Sequence, residues 1–563
     1  MLFYDFEVFK HDWLVVVIDM TNKKEHVIIN SKVELEALYE ANKYDIWVGF
    51  NSRHYDQYIL KGILCGFDPK KINDWIILKG KAGWQYSSLF NKVQLNNYDT
   101  IPNPPIGLKT LEGFMGNDIK ETEVPFDIDR PLTPEEIEQT VFYCRHDVEQ
   151  TIEVFLERIN IFNSSLELIK LFNLPLSCIG KTEAQLTAEI LECSKKEWAD
   201  EWDLYIFDTV KLGKYQYIGD WFLNSDNQDY TKSLTAYVCG VEHTFGWGGL
   251  HGAISKYYFK GLIIHVDVRS YYPSILIMYE IMSRASNNPK KYTDIYHKRL
   301  QLKKEGKKKE QEPYKKVLNA ASGAMKDKYN KLYDPRNNNL MCINGQLMLL
   351  DLLDKLDGHC ELIQSNTDGL ILGIPDTDEA FEMIDDICWE WEQRTHMGLG
   401  LDVITEIWQK DVNNYVWIDE HGGIERKGAY VKELSKIDYD LPIINEALVK
   451  RMIHNVPIET TIGNCKDLIK FQKIVKLSSK YKFVMHNNVK SINKCYRVFA
   501  SNNPHDGKIY KCKSKEKQDK FANTPDSCFF FNEDITSAKI PDNLDKQWYI
   551  NLANKRLKDY GVN

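Results

Sequence analysis

The sequence lacks several features that mark common protein classes. No apolar stretch reaches the roughly 20 residues that cross a membrane, and Met1–Asp5 is not the basic start of a signal peptide. The twelve cysteines include no Cys-x-x-Cys pair, which argues against a zinc ribbon or an iron–sulfur site. We therefore expect a soluble cytoplasmic protein with reduced thiols and no membrane partner.

Internal repeats and long low-complexity tracts are also missing. The 563 residues are too many for one hydrophobic core and predict roughly three or four folding units. An apolar content of 43% and an aromatic content of 12% are typical of globular proteins rather than disordered ones.

A net excess of positive charge is missing as well, since the formal net charge is −9. The charge is unevenly divided: residues 431–563 hold 24 Lys and Arg against 15 Asp and Glu, whereas residues 1–430 hold 48 against 66. A basic C-terminal quarter is typical of a surface that contacts phosphate backbones. An ordinary solvated surface explains the asymmetry equally well, so charge alone does not decide between them.

Residue patterns predict the elements that carry the candidate sites. Apolar and β-branched runs predict three strands, Leu2–Phe9, Trp13–Ile18 and Leu262–Val268. Helical periodicity predicts helices at Pro134 to about Phe172, Thr182 to about Glu192, Lys290–Lys316 and Asn344–Leu356. Apolar runs on either side of Ser365–Gly369 predict a hairpin with that segment at its tip.

Four carboxylates and a tyrosine near the N-terminus form the first candidate site: Asp5, Glu7, Asp56, Tyr143 and Asp147. Asp5 and Glu7 share one face of a predicted strand, and Tyr143 and Asp147 share one face of a predicted helix. Clustered carboxylates repel one another unless divalent cations neutralise them, and oxygen ligands favour Mg²⁺ or Mn²⁺. Two such ions can activate a water for in-line displacement at phosphorus, and the tyrosine hydroxyl could orient that water.

In this order, these residues resemble the RNase H-like 3′→5′ exonucleases that use four acids and a tyrosine, over about residues 1–160. The resemblance makes the four carboxylates metal ligands and gives Tyr143 a catalytic role. Asn51 and Tyr55 match the middle motif, Asn-x-x-x-Tyr-Asp, where the resemblance has them contact a single-stranded primer end.

A second candidate site combines two acids with a series of polar side chains. Asp267 ends a predicted strand and Asp368 lies at the predicted hairpin tip, so the two could share two Mg²⁺ ions with a triphosphate. Four residues between them follow a helical pattern that suits a triphosphate tail: Arg299, Lys303, Lys315 and Asn319. The lysine-rich stretch after Lys303 is equally typical of a solvated helix tip.

The second set resembles family B DNA polymerases over about residues 240–432. Asp267–Ser274 matches the first motif, which makes Tyr272 the residue that excludes ribonucleotides. Lys315–Gly323 matches the second motif, with Ser322 in place of a tyrosine, and Asn366–Asp368 matches the third, with Asn366 in place of its first acid.

Weaker matches of the same resemblance lie downstream. Tyr415 and Lys427 fall at positions that contact primer DNA, although Asn413 replaces the lysine of the first of these motifs. In the basic tail, Lys494–Phe499 is expected either to follow the duplex backbone or to be an ordinary amphipathic strand.

The resemblance implies a multidomain α/β and α+β protein. The exonuclease would occupy 1–160, a connecting region 161–235, the palm 236–283 and 325–432, the fingers 284–324, and a basic thumb 433–563. The implied activity is template-directed addition of dNTPs to a primer with 3′→5′ proofreading, using two Mg²⁺ ions per site, which Mn²⁺ can replace. Primer-template DNA and dNTPs would be its partners, with replication accessory proteins as further candidates.

The short intervals between motifs indicate which members of the polymerase family the sequence resembles. Asp267 and Asn319 are 52 residues apart, and Gly323 and Asp368 are 45 apart, which leaves no room for the insertions of protein-primed phage polymerases. The expectation is a compact bacteriophage replication polymerase, in the host cytoplasm, that extends ordinary primers. Two alternatives stay open: a repair exonuclease with a degenerate polymerase half, and a non-enzymatic DNA-binding scaffold.

Overall fold

Two compact units make up the protein in a computed structural model that describes residues 1–514 and 516–562. Unit 1 comprises Met1–Lys181, Leu434–Ile443 and Ile462–Ile550, and unit 2 comprises Thr182–Glu433, Ile444–Thr461 and Asn551–Asn563. The chain passes between the units five times, so neither unit is one contiguous piece. Most of the region expected to be a thumb thus belongs to the unit that holds the first candidate site, and the domain boundaries drawn from the resemblance stay predictions.

A five-stranded mixed sheet lies in the first part of unit 1. Its strands are Leu2–Val8 (β1), Trp13–Asp19 (β2), Lys24–Ile29 (β3), Ile46–Gly49 (β4) and Asn96–Asp99 (β5). Their order is β3-β2-β1-β4-β5, with β1 antiparallel to β2 and parallel to β4. The helices are Lys32–Asn42 (α1), Asp56–Leu64 (α2), Pro69–Asn73 (α3), Leu108–Met115 (α4), Pro134–Glu157 (α5) and Ile159–Leu171 (α6).

The two faces of β1 are covered by different elements, which positions the first candidate site. Tyr4 and Phe6 pack in a core with Ile59 of α2. Phe3, on the opposite face, meets Phe155 of α5 edge-on with ring centroids 5.2 Å apart. Because side chains alternate along a strand, Asp5 and Glu7 share the face of Phe3, towards α5.

A nine-stranded sheet forms the centre of unit 2. Its strands are Ser233–Val238 (β6), Val241–Gly246 (β7), Leu250–Ala253 (β8), Tyr257–Val268 (β9), Glu361–Ser365 (β10), Gly369–Gly373 (β11), Leu399–Asp411 (β12), Asn414–Asp419 (β13) and Ile424–Lys427 (β14). The order is β14-β13-β12-β9-β11-β10-β8-β7-β6. The helices are Glu183–Ile190 (α7), Gln216–Leu223 (α8), Tyr271–Met278 (α9), Pro289–Lys304 (α10), Lys308–Met325 (α11), Pro335–Leu356 (α12) and Asp378–Thr395 (α13).

Several elements differ from their predicted bounds for local reasons. The helix predicted to start at Asn344 begins nine residues earlier, at Pro335, where the Asp334 side chain caps the Asn337 amide. The long helix predicted from Pro134 is two helices, because regular geometry is interrupted at Arg158. The predicted hairpin is confirmed, since β10 and β11 pair antiparallel.

The C-terminal part contains two small sheets. Its helices are Pro442–His454 (α14), Ile458–Asn464 (α15) and Lys546–Leu557 (α16). Its strands are Lys473–Lys476 (β15), Phe483–His486 (β16), Val489–Ser491 (β17), Cys495–Ala500 (β18), Ile509–Cys512 (β19), Gln518–Lys520 (β20) and Cys528–Phe530 (β21). They form the sheets β15-β18-β21 and β17-β16-β19-β20.

The expectation that Lys494–Phe499 follows a DNA backbone is wrong for most of this segment. Every residue of β18 is buried, and Arg497 is fully buried. Its guanidinium donates hydrogen bonds to Gln472 and to the carbonyls of Gly113, Asn117, Phe531 and Glu533. A strand covered on both faces has no surface left for DNA.

Membrane-spanning helices and disulfides are both absent from the described residues. Residues 1–514 and 516–562 include no helix long and apolar enough to cross a membrane. None of the twelve cysteines, which all lie within those residues, forms a disulfide.

Candidate active sites

The first candidate site lies between β1 and α5 in unit 1. Ligand atoms of Asp5, Glu7 and Cys144 lie within 4.8 Å of one another, and the Cys144 thiol lies 3.3 Å from the backbone oxygen of Asp5. The predicted convergence of Asp5 and Glu7 on one face is confirmed by this grouping. Cys144 belongs to α5, so one turn of that helix brings Tyr143 and Asp147 to the same region.

The fourth predicted carboxylate, Asp56, begins α2 and is buried beside β1. Its Oδ1 accepts a hydrogen bond of 3.2 Å from the Phe6 amide. Burial raises the pKa of Asp56 to about 7. Burial likewise raises the pKa of Asp5 well above its ordinary value, and the neighbouring Asp56 and Glu7 carboxylates raise it further. Asp5, Glu7 and Asp56 therefore repel one another in a poorly solvated space.

Two residues that the sequence reasoning missed lie beside Asp147. Lys109 of α4 donates hydrogen bonds to Asp147 at 2.5 Å and to Glu112 at 3.0 Å. Glu112, His146 and Asp147 form a second group of ligand atoms within 4.8 Å of one another. Lys109 and Glu112 are three residues apart on one helix, which is a visible sequence signal, but no pattern indicates that α4 packs against α5.

The donor set of this site fits a divalent cation. Carboxylate oxygens predominate, which suits Mg²⁺ or Mn²⁺. The Oε2 atom of Glu112 is buried without a hydrogen-bond partner among the described residues, so the group has unused ligand capacity. Lys109 supplies one positive charge, which offsets part of the rise in the pKa of Asp5 and of Glu7 but is outnumbered by the acids around it.

Tyr143 lies beside the carboxylates of this site. Burial raises its pKa, and the Asp147, Glu7 and Asp5 carboxylates add to this shift, so the hydroxyl faces the acids. The Lys109 ammonium lies 4.7 Å from the centre of the Tyr143 ring. The phenol therefore keeps its proton and is held between a cation and the carboxylates.

The two predicted DNA contacts of this site have structural roles that the sequence did not show. Asn51 adopts a left-handed conformation with φ of 57°, and Asp99, another missed residue, accepts hydrogen bonds from the amides of Asn51 and Arg53 at 2.8 and 2.9 Å. The Tyr55 hydroxyl donates to Asn73 at 2.8 Å. Asp99 thus fixes the turn that presents the middle motif.

The second candidate site lies on three neighbouring strands of unit 2. Asp267 of β9 is paired with Gly369 of β11 on one side and with Gly400 of β12 on the other. Asp368 precedes Gly369 and its carbonyl accepts a hydrogen bond of 2.8 Å from Val268. Since both neighbours of Asp267 lack a side chain, its carboxylate is open on both sides. The predicted approach of Asp267 and Asp368 on adjacent strand ends is confirmed.

Burial and, after it, the carboxylates of Asp368 and Asp402 together raise the pKa of Asp267 to about 6. Asp402 was not predicted; it lies on β12 opposite His265, two residues from the register position of Asp267. A third acid therefore lies near the pair, although Asn366 replaces the acid expected from the motif. The mutual repulsion and the exposed oxygen donors fit a shared divalent cation.

Asn366 occupies the start of a tight turn. Its amide N–H donates to the Gly369 carbonyl at 2.8 Å, which closes the hairpin, and its Oδ1 accepts from the Thr367 amide at 2.8 Å. The side-chain oxygen is thus engaged with the turn backbone.

The two tyrosines of the first polymerase-like motif stack at the start of α9. Their rings are 5.9 Å apart and 6° from parallel, and the Tyr271 hydroxyl donates to the Gly345 carbonyl at 2.6 Å. Burial raises the pKa of Tyr272, with contributions from Cys342 and Asp368, so Tyr272 lies near the second site.

The predicted triphosphate contacts occupy different environments. Arg299 is buried and donates to Ser270 at 2.7 Å and to Gln311 at 3.1 Å. Lys303 is exposed and close enough to Asp267 to oppose part of the rise in its pKa. Lys315 lies 3.9 Å from Glu312, and the exposed Asn319 accepts a hydrogen bond from Ser322 through its carbonyl. The solvated tip between α10 and α11 is confirmed by the exposure of residues 303–310.

The two predicted primer contacts of this half are neighbours. Tyr415 of β13 pairs with Lys427 of β14, whose ammonium lies 5.7 Å from the tyrosine ring centre. Asn413 forms the turn between β12 and β13, where its amide donates to Asp411.

Comparison with known proteins adds a distant likeness to solved structures. No protein-family model and no curated protein sequence matches the chain. Among solved structures, the family B DNA polymerase from the hyperthermophilic archaeon Pyrobaculum calidifontis is similar over 99% of this chain and 77% of that chain, with 13% identity and a TM-score of 0.40. A likeness at this score assigns neither fold nor activity to the chain.

Proposed function

We propose that the protein is a template-directed DNA polymerase of the family B type, with a 3′→5′ exonuclease in unit 1. One observation carries the proposal: Asp267 and Asp368 lie at the ends of neighbouring paired strands, with glycines on both sides of Asp267. This arrangement leaves an open acidic edge where a primer end and a triphosphate can meet. A second, buried group of acids around Asp5 supports a separate nuclease site.

At the polymerase site, the residues position the reactants for in-line transfer of a nucleotide to the primer 3′-OH, with pyrophosphate leaving. Asp267 and Asp368 would hold two Mg²⁺ ions, or Mn²⁺ in their place, which activate the 3′-OH and neutralise the pyrophosphate when bound. Lys303, Lys315 and Asn319 would contact the triphosphate, and Arg299 would hold the turn after Asp267 through Ser270. Tyr415 and Lys427 would hold the primer strand.

At the exonuclease site, Asp5, Glu7, Asp56 and Asp147 would hold the cations, two per site. The Tyr143 hydroxyl, which keeps its proton, would orient the attacking water. Lys109 would keep Asp147 in place by its hydrogen bond. Asn51 and Tyr55 would contact the single-stranded primer end.

A labelled primer annealed to a template tests the proposal directly. With Mg²⁺ and dNTPs the wild-type protein should extend the primer, and with Mg²⁺ alone it should shorten it from the 3′ end. Asp5→Ala with Glu7→Ala should abolish the shortening and leave extension intact, because these residues belong to a different site from Asp267. Glu36→Ala, at an exposed acid of α1, is the matched control and should change neither reaction.

Two other outcomes would replace the proposal. Shortening without any extension would favour a repair exonuclease with a degenerate polymerase half. This alternative is suggested by Asn366, Ser322 and Asn413, which depart from the polymerase motifs. Binding of DNA with neither reaction would favour a scaffold without catalytic activity.

The biological setting is a finer part of the proposal. The short intervals between the motifs support replication of a bacteriophage genome in the host cytoplasm from ordinary primers. Replication accessory proteins would be further partners, detectable by their effect on processivity.

A further inference from the structure

The positive charge of the C-terminal quarter is concentrated in one segment. Residues 473–530 contain thirteen Lys and Arg against four Asp and Glu, an excess equal to that of the whole region 431–563. This segment comprises β15 to β21 and lies within unit 1. Arg497 is buried, so the exposed excess is carried by lysines of the two small sheets and of the segments that connect their strands.

Three of these lysines surround one tyrosine. The ammonium groups of Lys480, Lys511 and Lys513 lie 5.5, 5.0 and 5.6 Å from the centre of the Tyr481 ring. The ring is 8% exposed, and its hydroxyl donates to Asp519 at 2.7 Å, so it is fixed in place. The ring face attracts ammonium groups, which holds three like charges closer together than they would otherwise lie.

These three lysines differ in their counter-charges from two other lysines in or beside strands β19 and β20. Lys508 and Lys520 both form ion pairs with Asp526, at 3.4 and 2.6 Å. Within residues 1–514 and 516–562, no ion pair with a carboxylate is formed by Lys480, Lys511 or Lys513. The one carboxylate beside the ring, Asp519, is bonded to the Tyr481 hydroxyl and lies opposite Lys511, so three ammonium groups outnumber it. The cluster therefore carries a net positive charge that an external anion would relieve.

The position of the ring indicates how a nucleic acid would be contacted. Tyr481 lies beneath the lysines and is buried, so it cannot stack on a base. No exposed aromatic ring or arginine guanidinium group is part of this cluster. Its ammonium groups would therefore contact phosphates as point charges, without preference for any base.

We infer that the cluster of Lys480, Lys511 and Lys513 over Tyr481 binds the phosphodiester backbone of DNA, independently of base sequence. The inference rests on the proposed function, which supplies DNA as the substrate, and it assigns a binding role to residues outside both acidic sites. Single-stranded and duplex DNA share this backbone chemistry, and the experiment separates them.

The test compares two variants of equal charge change in the full-length protein. Lys480→Gln with Lys513→Gln removes two exposed lysines of the cluster, and Lys508→Gln with Lys520→Gln removes the two lysines paired with Asp526. Binding of a fluorescent single strand and of a duplex is measured by anisotropy in EDTA over a range of NaCl concentrations. Each lost phosphate contact should reduce the slope of log affinity against log salt by about 0.7 for single strands and about 0.9 for duplex.

The cluster variant should therefore lose about 1.4 units of slope on single strands, or about 1.8 on duplex, whichever form the cluster binds. The paired-lysine variant should keep the wild-type slope. Lys480→Arg with Lys513→Arg should restore binding, which excludes misfolding as the cause, and thermal melting of every variant should match that of the wild type.

An unchanged salt slope in the cluster variant, or an equal loss of slope in both glutamine variants, would overturn the inference. Binding to phosphatidylserine vesicles is measured for the same proteins. A cluster variant that loses vesicle binding but binds DNA like the wild type would also overturn it. Failure of the proposed function is distinguishable from these. If the wild-type protein neither binds DNA nor extends a primer, the proposed function and the inference are both wrong. If the wild-type protein binds DNA and extends a primer, and the cluster variant binds DNA equally well, only the inference is wrong.

Discussion

At the scale of single residues, Tyr272 is expected to set the choice of sugar. Its ring is held parallel to that of Tyr271, which is anchored by the Gly345 carbonyl. Tyr272→Ala should raise ribonucleotide incorporation relative to deoxynucleotide by about 10- to 200-fold, the range of one steric contact in a pocket. Single-nucleotide incorporation with each dNTP and rNTP measures this ratio. Tyr271→Phe removes only the hydroxyl bond and should leave it unchanged; equal ratios in Tyr272→Ala and wild type would refute the role.

Asp368 and Asn366 should respond very differently to substitution, although they are two residues apart. Asp368→Asn removes one of the two carboxylates proposed to hold the cations at the second site and should cost several kcal/mol, about 10³-fold in rate or more. Asn366→Ala should slow extension only a few-fold, because its side chain serves the turn. Rates are measured with Asp5→Ala and Glu7→Ala present, so that products persist. Near-normal extension by Asp368→Asn would exclude the two-carboxylate site.

At the scale of elements, β18 depends on one buried arginine. Burial lowers the pKa of Arg497 to about 10, so the side chain stays charged at neutral pH while bonded only to neutral acceptors. Arg497→Met would leave several buried carbonyls without donors, at about 1–3 kcal/mol each. Urea unfolding should show a loss of several kcal/mol, whereas Lys494→Met, at an exposed site, should change stability by less than about 0.5 kcal/mol. Equal effects would contradict the structural role of Arg497.

The sequence predicts features that depend on neighbouring residues and fails for contacts between residues far apart in the chain. The alternation of β1 placed Asp5 and Glu7 on one face, and the apolar runs beside Asn366–Asp368 located the hairpin, because both signals are local. Lys109 could not be placed beside Asp147 from sequence, since that contact depends on how α4 packs against α5. The burial of Arg497 leaves no local signal in the sequence, because its acceptors at Gly113 and Asn117 lie more than 370 residues away.

At the scale of the whole molecule, the divided course of unit 1 predicts that residues 1–181 do not fold alone. Leu111, Phe114 and Met115 share a core with Ile474 and Cys495, and each large apolar side chain left exposed costs about 1.5–3 kcal/mol. The isolated fragment should be aggregated or sensitive to protease. Co-expression with residues 434–550 should restore protection, as read by limited proteolysis; a stable, protease-resistant fragment 1–181 would contradict this dependence.

The compact spacing of the polymerase-like motifs predicts poor unaided strand displacement. The interval between Gly323 and Asp368 is occupied mainly by α12 and β10, which belong to the core and the sheet of unit 2. The pure protein should copy a primed single strand but stop within a few nucleotides of a downstream duplex. A gap-filling gel with and without a downstream oligonucleotide measures the difference, and efficient copying through a long duplex would contradict it.

The five passages of the chain between units also impose an order on synthesis. A ribosome that has released the residues bearing Asp5, Glu7, Asp56 and Asp147 has released only part of unit 1, because Ile462–Ile550 is still to come. By then Thr182–Glu433, with Asp267 and Asp368, has already been made. Unit 1, which holds the first candidate site, therefore completes its fold after most of unit 2 has been made. A ribosome that stops early leaves a nascent chain in which unit 1 is unfinished.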